Sequence, residues 1–330
     1  MKIAILDDYA STLRTLDCYG KLGEHQVSIW NDHVQDDDVL AERLAEIEAL
    51  VLIRERTKIG AALLERLPKL KLISQRSVYP HIDVEACTRL GILLCSNMHP
   101  GAPSWATAEL CWGLVIAAAR NLPQQVAALK EGQWQGAPVG TTLRGKTFGV
   151  WSFGRLGAAV ADYAKAFGMR VVAHGGPESL ARANAAGFDT EIDRTKFFAE
   201  CDVASLHIRL HPSTRGIVTP ENLAAMKPTA ILINTSRAPL ISPGALVTAL
   251  KAGRPGFAAI DVFEKEPLPD HTDPLLAMPN VICTPHIGYV TREEYEVQFA
   301  DIFDQINAYF AGKPINVINP DALTSSRQAV

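Results

Sequence analysis

The chain has 330 residues, 48% of them hydrophobic, and a formal net charge of -4. That length favours two domains, and that apolar content can fill two cores. The mild acidity, without any long basic stretch, argues against nucleic acid as the main partner.

Six scattered cysteines (Cys18, Cys87, Cys95, Cys111, Cys201, Cys283) form no CxxC pair and no regular framework, which points to reduced core thiols. Histidines and cysteines lack ligand spacing, so no metal is expected. The first residues, Met1 to Asp8, read directly as a strand and lack the apolar region of a signal peptide. The longest apolar stretch, residues 110–119, is too short to span a bilayer. A soluble, cytoplasmic protein with no membrane partner is the expectation.

Short β-branched runs alternate with helical patterns throughout, the signature of parallel α/β layers. In the first part, strands are predicted at residues 2–6, 27–30, 49–53, 70–74 and 92–95, with helices at 38–47 and 59–66 among those between them. This is a five-strand, flavodoxin-like unit. A turn rich in glycine and proline, His99-Pro100-Gly101-Ala102-Pro103, then leads into a long apolar helix over 104–120, with Ser104 as its N-cap.

A second series opens at Lys146, with strands predicted at 147–151, 170–173, 203–207, 230–234, 257–262 and 281–284. Six strands with intervening helices fit a doubly wound dinucleotide-binding domain. A last helix, 293–311, is expected to return to the first domain. The substrate domain is then discontinuous, 1–98 with 290–330, around a dinucleotide-binding domain at 99–289. The active site is expected in the cleft between them.

Within the second series, Gly149-Val150-Trp151-Ser152-Phe153-Gly154-Arg155-Leu156-Gly157 follows a strand and opens a helix. Gly154 lets the backbone approach a pyrophosphate, Gly157 allows close helix–strand packing, and the helix N-terminus supplies amides to phosphate. Ser152 replaces the first glycine of the pattern. At the end of the next strand, Gly175 stands where an acidic residue would bind the ribose hydroxyls of NAD and repel a 2′-phosphate. NAD is the expected cofactor, with NADP left open.

Three later strands each end in one functional side chain: Arg237 after Asn234-Thr235-Ser236, Glu266 after Asp261-Val262-Phe263, and His286 in Thr284-Pro285-His286-Ile287-Gly288. In an open α/β sheet, ligands bind at the carboxyl ends of strands. An arginine clamps a carboxylate, and a histidine beside a glutamate exchanges protons near neutral pH. That set suits reduction of a 2-keto acid. Arg54 and Arg56 follow the third strand of the first domain. Arg54 either clamps a substrate carboxylate or joins a surface ion-pair cluster with Glu55, and Arg76 and Tyr79 stand similarly.

With these motifs, and with Trp105-Ala106-Thr107-Ala108-Glu109-Leu110, Asp202-Val203-Ala204-Ser205-Leu206-His207 and Met226-Lys227-Pro228, the chain resembles the D-isomer-specific 2-hydroxyacid dehydrogenase family over nearly its whole length. The resemblance implies that Arg237 binds the substrate carboxylate and carbonyl, Glu266 orients the histidine and keeps it protonated, and His286 is the acid/base. It implies that Asp261 holds the nicotinamide carboxamide. Gly154, Arg155 and Leu156 would lie against the pyrophosphate, Thr235, Ser236 and Gly288 would line the nicotinamide side, and Ser77, Gly157, Gly175 and Ile208 are further cofactor-binding candidates. It also implies a homodimer, with the apolar helix at 110–119 facing the second subunit, and a small 2-keto or 2-hydroxy acid as partner.

The family's glycine-rich substrate loop, whose backbone amides bind the carboxylate, appears here as Gln75-Arg76-Ser77-Val78-Tyr79-Pro80-His81-Ile82-Asp83. Bulkier residues replace its glycines. Arg54, Arg76, Ser77 and Val78 are therefore candidate substrate residues, and the guanidinium groups suggest an extra anionic group on the substrate. Two competing readings share the fold. Formate oxidation needs no proton acceptor for an alkoxide, so the Glu266–His286 pair speaks against it. A nucleotide-sensing protein like the corepressors should show no turnover with any 2-keto acid.

Overall fold

A computed structural model of the chain describes residues 1–23, 25–98 and 104–324. The chain divides into two compact units, Met1–Pro103 with Val290–Val330, and Ser104–Tyr289. The turn expected at 99–103 lies outside the described residues.

The first unit is a sheet of five parallel strands with helices between them. Its elements run β1 (Lys2–Ile5), β2 (Gln26–Ile29), α1 (Asp37–Leu44), β3 (Ala49–Val51), α2 (Ala61–Glu65), β4 (Leu72–Arg76), α3 (Val84–Arg89) and β5 (Leu93–Asn97). The order β2-β1-β3-β4-β5 is the flavodoxin-like one. Strands β1, β3, β4 and β5 are almost continuously buried because helices cover both faces of the sheet. Asp36 starts α1 by accepting from the amides of Asp38 and Val39, and Asp83 starts α3 by accepting from Ala86 N.

The second unit contains α4 (Ala106–Ala119), α5 (Leu122–Lys130), β6 (Thr147–Trp151), α6 (Arg155–Ala166), β7 (Arg170–His174), α7 (Pro177–Ala185), β8 (Asp189–Thr190), α8 (Arg194–Glu200), β9 (Val203–Leu206), α9 (Pro220–Ala225), β10 (Ile231–Asn234), α10 (Ala245–Lys251), β11 (Phe257–Ile260) and β12 (Val281–Cys283). Its sheet is parallel, in the order β12-β11-β10-β9-β6-β7-β8. That is the doubly wound arrangement, reversing direction between β6 and β9. The sheet has seven strands where six were expected. The addition is β8, a two-residue polar edge strand paired with β7 and carrying no hydrophobic signal.

Helix α4 differs from expectation in two ways. Its N-cap is Trp105, with no side-chain cap, and Ser104 lies outside the helix. Its apolar face is used at home: Ala108, Cys111, Trp112, Leu114, Val115, Ala118 and Ala119 are buried in the unit's own core with Phe148, Val150 and Val160. Each large side chain so buried contributes roughly 1.5–3 kcal/mol. The apolar run at 110–119 thus packs largely inside its own unit, where Leu110, Ile116 and Ala117 are only partly buried.

The chain then returns to the first unit as α11 (Arg292–Phe310), which starts at an N-cap, Thr291, whose side chain accepts from Glu294 N. This helix buries Tyr295, Phe299, Ile302, Phe303 and Ile306 together with two polar side chains, Gln298 and Gln305. Ser74 Oγ donates to Ile302 O at 2.9 Å, and Gln305 Nε2 donates to Ser74 Oγ at 2.8 Å and Gln75 O at 3.0 Å. A buried polar seam thus ties α11 to β4. All six cysteines are unpaired, and burial pushes Cys87 and Cys95 up to about 12, which makes them inert core thiols.

Candidate active site

Strands β10, β11 and β12 are parallel neighbours, with Asn234 level with Ile260 and Ile260 level with Cys283. The residues just past these positions therefore leave one edge of the sheet together. They include Thr235, Ser236 and Arg237 after β10, Asp261 to Glu266 after β11, and Thr284 to Gly288 after β12.

His286 Nδ1 and Glu266 Oε2 are 2.5 Å apart. Glutamate can only accept when ionised, so Nδ1 carries the proton and Nε2 is the atom left for chemistry. The other carboxylate oxygen, Glu266 Oε1, accepts from Phe263 N at 2.7 Å, which fixes the carboxylate before it meets the ring. The ring also meets Tyr289 edge-on, with centroids 5.7 Å apart. Glu266 and His286 are partly exposed, at 31% and 25% of their side chains. Both side chains are therefore reachable from solvent.

His286 sits at φ +52°, in the left-handed region. Asp261 holds it there. This carboxylate is fully buried, and its Oδ1 accepts from Thr284 Oγ1 at 2.6 Å and Ile287 N at 2.8 Å. Its Oδ2 accepts from Gly288 N at 2.8 Å. Burial raises the Asp261 carboxyl above the usual range, opposed by these donors and by the nearby His286. A side chain at Gly288 would come within 3.2 Å of Asp261 Oδ2 and of Thr107, whose hydroxyl donates to Gly288 O at 2.8 Å. The Thr107 contact with Gly288 spans 181 positions, so no local signal exposes it.

Arg237 begins a short turn after β10, and its Nη1 donates to Ser236 O at 2.8 Å. Asn234 braces the segment, its Nδ2 donating to Arg237 O at 3.0 Å and its Oδ1 accepting from Ser236 N at 3.0 Å. Ser236 Oγ reaches across to Leu206 O at 2.8 Å. Thr235 is buried, with its hydroxyl beside the buried Cys111 thiol.

The nucleotide side lies where the sheet reverses. Ser152, after β6, takes φ +80°, the conformation for which glycine is usual, so the altered loop keeps the strand–turn–helix path. Gly157 is obligatory, since a Cβ there would lie 2.2 Å from Ser152 O. Gly154 caps α6, and a Cβ there would project into open space, leaving the helix N-terminus approachable. Arg155 Nη1 donates to Ser104 O at 2.6 Å, and Leu156 packs on the core. Ile208 follows β9 and packs partly on the sheet. The open Gly154 turn at the start of α6 suits the phosphates of a dinucleotide.

Gly175 has a packing role of its own. Its φ is +153°, and a Cβ would lie 2.8 Å from Ser179 Oγ and 3.0 Å from Ser179 Cβ. Glycine stands there because Ser179 packs against it, so its presence says little about cofactor choice. The neighbouring Gly176 has φ -69° and open space around its Cβ position. His174 is structural: burial lowers it, its Nδ1 lies 2.8 Å from Glu191 O, and it stacks on Phe197.

In the first unit the arginines already have anionic or carbonyl partners. Arg76 Nε pairs with Asp301 Oδ2 at 2.8 Å and is only 15% exposed. Arg54 pairs with Glu55 at 3.7 Å. Arg56 Nη1 donates to Asp7 O at 2.6 Å and lies over the Tyr9 ring. Each of these guanidinium groups thus meets an anionic or carbonyl oxygen within its own unit. Ser77 sits at φ +81° and Val78 is exposed, on the loop after β4. Among the described residues, no group of three or more His, Cys, Asp or Glu could hold a metal ion, and no helix is long and apolar enough to cross a membrane.

A parallel sheet reversing at a glycine turn, with a histidine–glutamate pair and an arginine along its carboxyl edge, defines a dinucleotide-dependent oxidoreductase. Residues 112–288 match the family model for the NAD-binding domain of D-isomer specific 2-hydroxyacid dehydrogenases, and the chain belongs to that family. NAD is its cofactor, and the CH–OH group is its point of action. The chain is 36% identical over 313 residues to a glyoxylate reductase of Thermococcus litoralis, covering 92% of this chain and 93% of that one. It is 40% identical over 283 residues to a D-3-phosphoglycerate dehydrogenase of Methanocaldococcus jannaschii, covering 85% of this chain but 53% of that longer protein. A crystal structure of phosphoglycerate oxidoreductase from Vibrio cholerae o395 superposes with a TM-score of 0.89 at 44% identity, covering 94% of this chain and 99% of the other.

Proposed function

We propose that the enzyme interconverts a D-2-hydroxy acid and its 2-keto acid, with His286 as acid/base, Glu266 as its partner and Arg237 as the anchor for the carbonyl and carboxylate oxygens. The observation that carries this reading is the His286–Glu266 pair, in which the carboxylate accepts a hydrogen bond from Nδ1–H and leaves Nε2 as the ring atom for the reaction. NAD supplies or accepts the hydride. In the reductive direction, His286 Nε2–H gives its proton to the developing alkoxide, and the Glu266 carboxylate stabilises the imidazolium beforehand. Arg237 offsets charge on the same oxygen through charge-assisted hydrogen bonds. Thr235 and Ser236 would line the nicotinamide side, and Gly154, Arg155, Leu156 and Gly157 the pyrophosphate. Asp261 is assigned first to the loop bearing His286, because its oxygens are already filled by that loop's donors.

The test is a panel of 2-keto acids, including glyoxylate, hydroxypyruvate and longer anionic members, assayed in parallel with NADH and NADPH. Turnover abolished by His286→Ala supports the assignment. Turnover only with formate would favour that chemistry, and none with any compound would favour a sensor.

The enzyme is further proposed to be a cytoplasmic homodimer. Its support is an apolar row on α5 and the segment after it: Leu122, Val126 and Leu129 are 44%, 52% and 57% exposed, and Trp134 and Val139 are 82% and 96% exposed. Exposed apolar side chains concentrated in one stretch mark a surface that is covered in an assembly.

A further inference from the structure

The loop after β4 keeps a glycine-like shape without glycines, and the buried side chain of Gln75 accounts for it. Gln75 is fully buried. Its Nε2 faces three acceptors: Ser77 O at 2.9 Å, Ser96 Oγ at 3.0 Å and Val78 O at 3.3 Å. Ser96 Oγ itself donates to Ser77 O at 2.7 Å. Two side chains thus draw the carbonyls of Ser77 and Val78 inward. The Ser77 amide is taken by Asn97 O at 3.1 Å. The amides of Val78 and Tyr79 have no acceptor among the described residues, and Val78 is 45% exposed. A peptide plane whose carbonyl is held inward turns its N–H outward. Ser77 pays for this shape with φ +81°, a conformation that persists in a non-glycine residue only when its surroundings impose it. Gln75 is itself fixed from behind, where Gln305 Nε2 donates to its carbonyl.

We propose that Gln75, assisted by Ser96, is a positioning residue for substrate carboxylate recognition: it holds the Ser77–Tyr79 loop so that the Val78 and Tyr79 amides present donors to an anion. The role rests on the 2-keto acid reading given above. It assigns to one buried amide the task that conformational freedom performs in a glycine loop.

Gln75→Leu keeps the volume and removes the donors. It should raise KM for the best 2-keto acid about tenfold or more, with NADH affinity unchanged and kcat within about threefold. Hydrogen exchange gives a readout independent of turnover: the Ser77 and Ile82 amides, bonded to Asn97 O and Tyr79 O, should lose protection. Adding Ser77→Gly should recover part of the KM, because glycine takes positive φ without strain. If Gln75→Leu does not fold, Ser96→Ala carries the test, with an expected KM rise of about threefold. A folded variant with unchanged KM and unchanged loop exchange overturns the proposal, as does an equal loss of NADH binding. Absence of turnover in the wild type would sink the enzymatic reading, while the exchange arm would still decide the role of Gln75 in shaping the loop.

Discussion

Replacing Gly175 by aspartate is the obvious way to write an NAD signature into this chain, and the structure predicts that it fails. At φ +153°, a side chain forces backbone strain of roughly 1–3 kcal/mol. The new Cβ would also overlap Ser179, whose Oγ accepts from Phe153 N at 2.6 Å in the buried turn before Gly154. Displacing that hydroxyl leaves a buried amide unsatisfied, at a cost of roughly 1–3 kcal/mol. Together these make Gly175→Asp about 2–6 kcal/mol less stable, which for a chain of this size lowers Tm by on the order of 10 °C. Urea or thermal unfolding measures this directly, with kcat/KM for NADH and NADPH alongside. The comparator is Gly176→Asp, at φ -69° and in open space, where aspartate would be a good N-cap for α7. That variant should fold normally and disfavour NADPH by repelling its 2′-phosphate. A Gly175→Asp protein within about 0.5 kcal/mol of wild type would refute the packing argument.

His286→Ala should lower kcat at least about a hundredfold while leaving NADH binding intact, and near-normal turnover would remove His286 from the chemistry. Burial pushes His207 down to about 4 from an ordinary value near 6.5, with Ser205 Oγ 3.0 Å from its Nε2. The unfolded chain therefore takes up the proton first, so stability is full above about pH 6.5 and is lost as pH falls toward 4. His207→Asn should flatten the urea midpoint across that window, and an unchanged slope would assign the acid sensitivity elsewhere. Leu129→Glu on α5 should shift the sedimentation coefficient from dimer to monomer if that row is the interface, and an unaltered dimer would place the interface elsewhere.

The strands that carry the site were readable because they are local. Thr147–Trp151 was bounded correctly by its β-branched run and the glycine turn, and Phe257–Ile260 ended only two residues short of its expectation. The Arg237, Glu266 and His286 segments announced themselves as apolar runs ending in one polar side chain. What was hidden depends on distance in sequence. Strand β8 is two residues held only by pairing with β7. Arg76 looked free because its partner, Asp301, lies on a helix more than 200 positions away. The apolar run in α4 could not say whether its partner was its own sheet or another subunit. Gly175 reads in sequence as the loss of an acidic ribose ligand, and the Ser179 side chain that excludes a Cβ there is visible only once α7 has folded back on β7.

The left-handed backbone at His286 sets durability against chemistry. A left-handed φ suits glycine and penalises any residue with a Cβ, so the residue proposed here as proton donor sits where the backbone would rather have no side chain. Asp261, Thr284 and the amides of Ile287 and Gly288 hold the segment against that preference. Selection for heat resistance alone, with activity ignored, would therefore drift this position toward glycine and produce a sturdier, inert protein. Comparing His286→Gly with His286→Ala separates the two pressures. Both lose the imidazole, and only glycine relieves the strain, so the glycine variant should unfold at the higher temperature.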